Sequence, residues 1–263
     1  MIHLQVTDPS QESVDFEYWL ETMRCHYENA YSLELHKCQS DLELVPGKEL
    51  VVKIQSAAKA DPKIFYTSAY QSILNYLNEL RDVGAHIETM DNILEFGVGY
   101  ARLLRQLFPF KANLHGCDVT PETIEWCNRH LSGRASFNLT RFQPPLPYLD
   151  GMFDFIFANS VFTHVQKEDT EAWVVEMHRI IKPGGHLIIT QYDLNEHLRF
   201  FSPVALDKAL RTDGYITWGN PSVKENNIYF TPKTLEKVWG KKFTILMSRP
   251  HFLDQSHLVM RRD

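Results

Sequence analysis

Apolar residues recur every three or four positions over two stretches near the start of the chain, at about 14–35 and 63–83. This spacing puts the apolar side chains on one face of a helix, so both stretches are predicted to be amphipathic helices. Pro46 and Gly47 separate the two as a turn. We therefore expect residues 1–88 to form a helical N-terminal cap region.

From residue 92 the pattern changes to short apolar runs that alternate with helical stretches. Strands are predicted at about 93–96, 113–119, 135–139, 153–158 and 186–190, and helices at about 101–108, 121–130 and 169–181. Such alternation indicates right-handed crossovers and a parallel sheet. Thr231 and Pro232 predict the start of a last helix, and residues 243–248 and 257–260 alternate like two antiparallel strands.

These elements predict an α/β fold with a Rossmann-like, doubly wound sheet. The sheet should be mostly parallel with a C-terminal antiparallel strand, and it should occupy residues 89–263. Residues 195–230 interrupt the pattern with an irregular segment rich in Pro, Gly, Asn and aromatic residues. Because this segment is too long for a passive connection, we expect it to cover a cleft or line a substrate pocket.

Composition and charge narrow the function further. The formal charge is −6 and Lys and Arg are scattered, whereas a nucleic-acid-binding protein shows a basic stripe. The four cysteines fit no standard zinc spacing, so no metal site is expected. No apolar run approaches the roughly 20 residues of a membrane span, and the first residues do not resemble a signal peptide. We expect a cytoplasmic protein without a membrane or nucleic-acid partner; its oligomeric state stays open.

The most informative stretch is Glu95–Ala101, at the junction of the first strand with the following helix. Gly97 and Gly99 would let the backbone pass close to a ligand, although they could also serve only a tight turn. Asp118 closes the second strand, where a doubly wound fold presents a carboxylate to the two hydroxyls of a ribose. Together the glycines and the acid predict a nucleoside-containing ligand.

Two ligands compete for this arrangement. A dinucleotide-binding site typically has a third glycine three positions after the second, but this chain has Arg102 at that position. The Glu95 carboxylate would repel a pyrophosphate, whereas it would attract the cationic amino group of a methionyl moiety. The residues therefore favour S-adenosylmethionine over NAD or NADP.

The stretch resembles motif I of the class I S-adenosylmethionine-dependent methyltransferases, and further similarities follow in chain order. Gly116–Asp118 is similar to the ribose-binding strand end of that family, and Pro145–Asp154 resembles its loop and fourth strand. Ser160–Val165, with the sequence SVFTHV, resembles the segment after the fourth strand in one branch, and Arg179–Gly185 resembles the turn before the fifth strand. Ala101 departs from the family pattern because it replaces the usual third glycine.

The resemblance implies roles for individual residues. Gly97 and Gly99 would line the methionyl portion, Glu95 would reach its amino group, and Asp118 would hold the ribose with Val119 beside it. Asn138 falls where many relatives carry an acid that faces the adenine amino group, and its side-chain carbonyl could accept the same hydrogen bond. Asn159 and Ser160 would border the methionyl group.

The resemblance also implies the reaction, which is methyl transfer to a small-molecule acceptor with S-adenosylhomocysteine as the other product. Asn159–Phe162 lacks the proline pair that certain nucleobase methyltransferases carry, which favours a small molecule, and O-methylation is slightly favoured. His164 is the candidate general base, although a histidine near a helix start is more often structural. The alternatives are an NAD(P)-dependent oxidoreductase and a noncatalytic module that binds S-adenosylmethionine.

Overall fold

The computed structural model describes residues 28–29, 31, 46–54, 62–219, 226–249 and 255–263. The helix predicted at 14–35 lies outside these residues, apart from residues 28, 29 and 31, which are helical. Of the helices in the described ranges, none has both the length and the apolar composition that a bilayer span requires.

Six α-helices and nine strands make up the described part of the chain. The helices are α1 (Lys48–Ile54), α2 (Pro62–Asp82), α3 (Pro121–Leu131), α4 (Lys167–Ile180), α5 (Pro203–Lys208) and α6 (Pro232–Trp239). The strands are β1 (Asn92–Phe96), β2 (Asn113–Asp118), β3 (Ser136–Leu139), β4 (Phe153–Ala158), β5 (Ile181–Asp193), β6 (Tyr215–Trp218), β7 (Asn227–Phe230), β8 (Thr244–Arg249) and β9 (Ser256–Arg261).

The first five strands form a parallel sheet in the order β3-β2-β1-β4-β5. On the far side of β5, β9 pairs antiparallel with β5 and then with β8, so that β9 lies between them. The order reverses at β1, and the loops after β1 and β4 open on the same edge of the sheet. That is the switch point at which open α/β sheets bind ligands. The predicted fold class, with its C-terminal antiparallel strands, is confirmed.

Helices cover both faces of this sheet. One face packs with α2 and α3, and the other with α4 and α6, each through a cluster of buried apolar side chains. The strand β4 carries five buried residues out of six, as a strand covered on both faces must. The boundary between a cap region at 1–88 and a sheet domain at 89–263 stays a prediction, although α2 shares a core cluster with β1, β4, β5 and β9.

The predicted helix at 101–108 is wrong: the segment is a series of turns with a four-residue 3-10 helix, Leu104–Leu107. Side chains form hydrogen bonds with several backbone N–H and C=O groups of this segment. The Leu104 N–H donates to the Glu95 carboxylate at 2.8 Å, and the Arg105 guanidinium donates to the carbonyls of Tyr100 and Ala101. Ala101 has a φ of 54°, in the left-handed region, which also excludes an α-helix there.

The segment at 195–230 is more regular than the sequence predicted. A 3-10 helix (Leu194–Phe200), α5 and a π-helical turn (Ala209–Asp213) lead into β6, which forms an antiparallel hairpin with β7. The hairpin joins the sheet because β7 pairs with the last residues of β5, Tyr192 with Tyr229 and Asp193 with Phe230. Four of the six aromatic residues in this segment are strand residues of the hairpin, namely Tyr215, Trp218, Tyr229 and Phe230.

The start of the fifth strand also differs from the prediction. β5 begins at Ile181, before the predicted turn at 182–185, and its pairing with β4 shifts register there. Gly184 has a φ of 77°, as the third residue of a type II turn does. Thr120 precedes α3 without a side-chain capping bond, whereas the Thr231 hydroxyl does cap α6 by accepting from the Thr234 N–H.

Candidate active site

The loops that follow β1 and β4 touch each other at Gly97. Gly97 and Gly99 have φ values of 79° and 50°, which favour glycine. A Cβ atom on Gly97 would lie 2.2 Å from Cγ2 of Val161, so the bare backbone is also needed for close packing. The contact puts Gly97 beside the segment that begins with Asn159 and Ser160. Residues predicted from two separate motifs thus lie side by side at this edge of the sheet, and we call the space between the two loops the crevice.

Asp118 joins this crevice from the tip of β2. Its Oδ2 accepts a hydrogen bond from the Gly99 N–H at 2.8 Å, and its Oδ1 accepts from the Thr120 N–H at 2.9 Å. These bonds fix the carboxylate in place, and each oxygen keeps a lone pair for a further donor. A ribose diol could supply two such donors, so the geometry is compatible with the predicted role. Val119, the last residue of the strand predicted at 113–119, directly follows β2 and is half-buried.

Glu95 lies on β1, just before the glycines, and is almost completely buried. Burial raises the pKa of its carboxyl to about 8, while the Leu104 N–H and the nearby Arg102 guanidinium oppose that rise. Arg102 is buried as well, and burial lowers the pKa of its guanidinium to about 10. Glu95 thus has a structural contact that the sequence did not reveal. Its role toward an amino group stays a prediction.

Asn159 and Ser160 follow β4 directly. Oδ1 of Asn159 accepts a hydrogen bond from the Tyr76 hydroxyl at 2.7 Å, and its Nδ2 donates to Oγ of Ser160 at 3.3 Å. The Ser160 N–H donates to the Thr190 hydroxyl at 2.7 Å, and the Ser160 hydroxyl donates to Gln255 at 3.0 Å. Ser160 has a φ of 57°, a conformation that a non-glycine residue adopts at a cost of about 1–3 kcal/mol. Such strain is typical of functional sites.

Asn138 and His164 are the outlying members of the predicted set. Asn138 is the third residue of β3, and its Nδ2 donates a long hydrogen bond of 3.5 Å to the Tyr148 hydroxyl. Its Oδ1 is not involved in that bond and can accept a hydrogen bond from a ligand. His164 lies in the turn after β4 and its side chain is exposed, so a ligand would have to cover it before it could act in a dry site.

The structure adds residues that the sequence motifs did not identify. From α2, Tyr76 reaches Asn159 and the Ser68 hydroxyl accepts from the Arg102 guanidinium at 2.9 Å. At the end of β5, burial raises the pKa of the Asp193 carboxyl, and the Asp193 carbonyl contacts the buried His197 ring at 2.8 Å. The apolar stripe of α2 signalled a buried helix, but nothing in that pattern distinguished Tyr76 from its neighbours.

Comparison with known proteins agrees with this geometry. A family model described as a methyltransferase domain matches residues 94–189, which run from β1 into β5. The chain is 30% identical to a malonyl-[acyl-carrier protein] O-methyltransferase from Hahella chejuensis over 100 residues, which are 37% of the chain. Over 107 residues, 38% of the chain, it is 28% identical to a phosphoethanolamine N-methyltransferase from Caenorhabditis elegans. The chain matches only 35% and 23% of the lengths of these two relatives.

Among solved structures, a S-adenosylmethionine-dependent methyltransferase from Methanosarcina mazei superimposes with a TM-score of 0.54 at 21% identity. The match covers 65% of the present chain and 92% of that protein. At this identity the likeness concerns the fold, and the fold agrees with the family model and with the order of the motifs. Residues 94–189 therefore match a methyltransferase domain, and the described part of the chain has the fold of S-adenosylmethionine-dependent methyltransferases.

Proposed function

We propose that the protein transfers the methyl group of S-adenosylmethionine to a small-molecule acceptor. The observation that carries the proposal is the convergence of two acids and two positive-φ glycines at one crevice. Asp118 and Gly99 are directly hydrogen-bonded, Gly97 packs against the loop of Asn159, and Glu95 precedes both glycines on β1. Such a crevice offers acceptors for a diol and for an amino group.

The residues fit the cofactor in their chemistry. Asp118, with Val119 beside it, would hold the ribose, and Oδ1 of Asn138 would accept from the adenine amino group. Glu95, Asn159 and Ser160 would hold the amino-acid end against the backbone of Gly97 and Gly99. The cofactor, when bound, supplies an electrophilic methyl group on a sulfonium with a neutral leaving group. The protein's own contribution is then to align the acceptor and exclude water, which can lower a barrier by roughly 7–11 kcal/mol.

The acceptor pocket is proposed to lie beside the hairpin of β6 and β7. The hairpin extends β5 on the same edge of the sheet as the crevice. Its aromatic cluster includes Tyr192 stacked on Tyr229 with ring centroids 4.7 Å apart, and Phe201 against the edge of Tyr229 at 5.0 Å. A wall of this kind suits a carbon-rich acceptor. Limited proteolysis within 195–230 that left product formation unchanged would contradict this placement.

Oxygen is the acceptor atom that we favour, and the resemblance to an O-methyltransferase supports it. The second relative methylates nitrogen according to its name. An experiment must therefore distinguish an oxygen acceptor from a nitrogen acceptor. A general base is needed only for a weakly acidic acceptor such as an alcohol. His164 is the proposed base in that case, and its substitution by Ala would leave methylation of a carboxylate unchanged.

Ligand-dependent thermal stability tests the proposed cofactor. At a concentration about 100 times its dissociation constant, S-adenosylhomocysteine should add roughly 2.7 kcal/mol of stability, whereas NAD and NADP should add none. Stabilisation by the nicotinamides alone would indicate an oxidoreductase. With a cofactor carrying a ¹³C methyl group, the chemical shift of the product methyl then distinguishes oxygen from nitrogen. Cofactor binding without turnover of any acceptor in a broad panel would favour a noncatalytic module.

A further inference from the structure

The long helix α2 makes polar contacts with three separate parts of the sheet domain. Ser68 accepts a hydrogen bond from Arg102, Tyr76 donates one to Asn159, and the Glu79 carboxylate lies 2.8 Å from Nδ1 of His257 on β9. Positions 68, 76 and 79 are eight and three residues apart, so they share one face of the helix. This face is the one that packs against the sheet. The helix therefore does more than cover apolar surface.

The contact between Tyr76 and Asn159 is the one nearest to the crevice. Tyr76 is 1% exposed, and burial raises the pKa of its phenol well above the usual value. The hydroxyl therefore stays protonated and acts as a hydrogen-bond donor. Its ring is held between Phe157 and His257, with ring centroids 5.7 and 5.1 Å away. The contact of His257 Nδ1 with the Glu79 carboxylate holds that imidazole in turn. The hydroxyl thus has a fixed position.

A fixed donor on Oδ1 determines which way the Asn159 amide faces. With one lone pair of Oδ1 engaged by Tyr76, the donors that the Asn159 side chain offers are the two N–H bonds of Nδ2, and one of these is directed to Ser160. An amide N–H is a donor and suits an anionic acceptor. The amino-acid end of the proposed cofactor carries a carboxylate as well as the amino group assigned to Glu95.

We propose that Tyr76 is a positioning residue of the cofactor site. Its hydroxyl orients the Asn159 amide so that Nδ2 donates to the carboxylate at the amino-acid end of the cofactor. This inference rests on the proposed function, because it needs a ligand that carries an amino-acid carboxylate. It assigns part of the binding site to α2, which lies outside the matched region 94–189.

Two ligands that differ only in the amino-acid end test the inference. S-adenosylhomocysteine has that end and 5′-methylthioadenosine lacks it. In the Tyr76→Phe variant, which keeps the ring and its packing, the affinity for S-adenosylhomocysteine should fall about three- to tenfold, the usual effect of one lost hydrogen bond. The affinity for 5′-methylthioadenosine should be unchanged. Equal losses for both ligands, or no loss for either, would overturn the positioning role.

A double-mutant cycle separates positioning from a general loss of packing. If Tyr76 acts through Asn159, adding Tyr76→Phe to Asn159→Ala should cause no further loss of affinity for S-adenosylhomocysteine. Additive losses would refute the inference. Tyr70→Phe is the matched control, because Tyr70 is a buried tyrosine on the same helix, and its affinity for both ligands should equal that of the wild type. Wild-type protein that binds neither ligand would instead refute the proposed function.

Discussion

The backbone N–H of Gly99 donates to Oδ2 of Asp118 at 2.8 Å and thereby ties the loop after β1 to the tip of β2. The two residues are 19 positions apart, and each belongs to a different motif. The bond explains how a loop of left-handed residues keeps one conformation before any ligand binds. It also means that Asp118 serves the shape of the site and the proposed binding of ribose at once.

Removing this carboxylate should weaken cofactor binding. We predict that Asp118→Ala lowers the affinity for S-adenosylhomocysteine by about 1–3 kcal/mol, the scale of a lost hydrogen bond to a charged group. Isothermal titration calorimetry measures the difference directly. Glu125→Ala is the control, because Glu125 is an exposed acid on α3 whose carboxylate pairs with the exposed Arg129. An affinity for Asp118→Ala that equals the control's would remove the ribose assignment.

Glu95 should make both folding and ligand binding depend on pH. Its folded-state pKa of about 8 lies above the ordinary 4.5, so the folded protein holds this proton more tightly than the unfolded chain does. The contribution to stability is complete below pH 4.5 and is lost as the pH rises toward 8. Glu95→Gln should flatten this part of the profile of unfolding free energy against pH. A wild-type profile as flat as that of the variant would contradict the prediction.

The ionisation of Glu95 should strengthen ligand binding, although it weakens folding. A cationic amino group favours the ionised carboxylate, so the affinity for S-adenosylhomocysteine should rise with pH below 8, by at most about tenfold per pH unit. Binding at pH 7 should then release a proton, which calorimetry in buffers of different ionisation enthalpy detects. Glu95→Gln is the control for the titration of the ligand's own amino group, and it should release fewer protons than the wild type.

The fold could be predicted largely from the sequence because its strands are specified locally. The strand predicted at 153–158 is β4 in the structure, since a run of apolar residues covered on both faces needs no distant contact to identify it. The order of the glycine loop and of Asp118 likewise predicted that these residues lie together, and the Gly99 N–H does donate to Asp118. These features depend on neighbours within a few residues.

What could not be predicted depends on contacts between distant residues. The helix expected at 101–108 fails because the carboxylate of Glu95 and the guanidinium of Arg105 take its backbone partners. The bond from Tyr76 to Asn159 spans 83 positions, and the helical pattern at 63–83 does not single out Tyr76. In the segment at 195–230, strand pairing with β5 gives order to a composition that alone indicates a loop.

Ala101 stands where related sites carry a third glycine, and it keeps the left-handed backbone of that glycine at a φ of 54°. Such a conformation costs a non-glycine residue roughly 1–2 kcal/mol. Ala101→Gly should relieve this strain but lose a fully buried methyl group, so its unfolding free energy should stay within about 1 kcal/mol of the wild type. Ala101→Val adds volume and branching at the same site and should destabilise by about 1–3 kcal/mol. Urea unfolding compares the two, and a valine variant as stable as the glycine variant would contradict the assignment of strain.

The close approach of Gly97 to Val161 predicts a coupled pair. Gly97→Ala combines a left-handed backbone with a Cβ atom only 2.2 Å from Cγ2 of Val161, so it should destabilise the protein by about 2–4 kcal/mol and weaken the binding of S-adenosylhomocysteine. Val161→Ala removes Cγ2, and in the Gly97→Ala background it should therefore restore part of the lost stability. In the wild-type background the same change can only remove packing. Urea unfolding of the four proteins measures the coupling, and strictly additive free energies would show that the two loops do not meet at these residues.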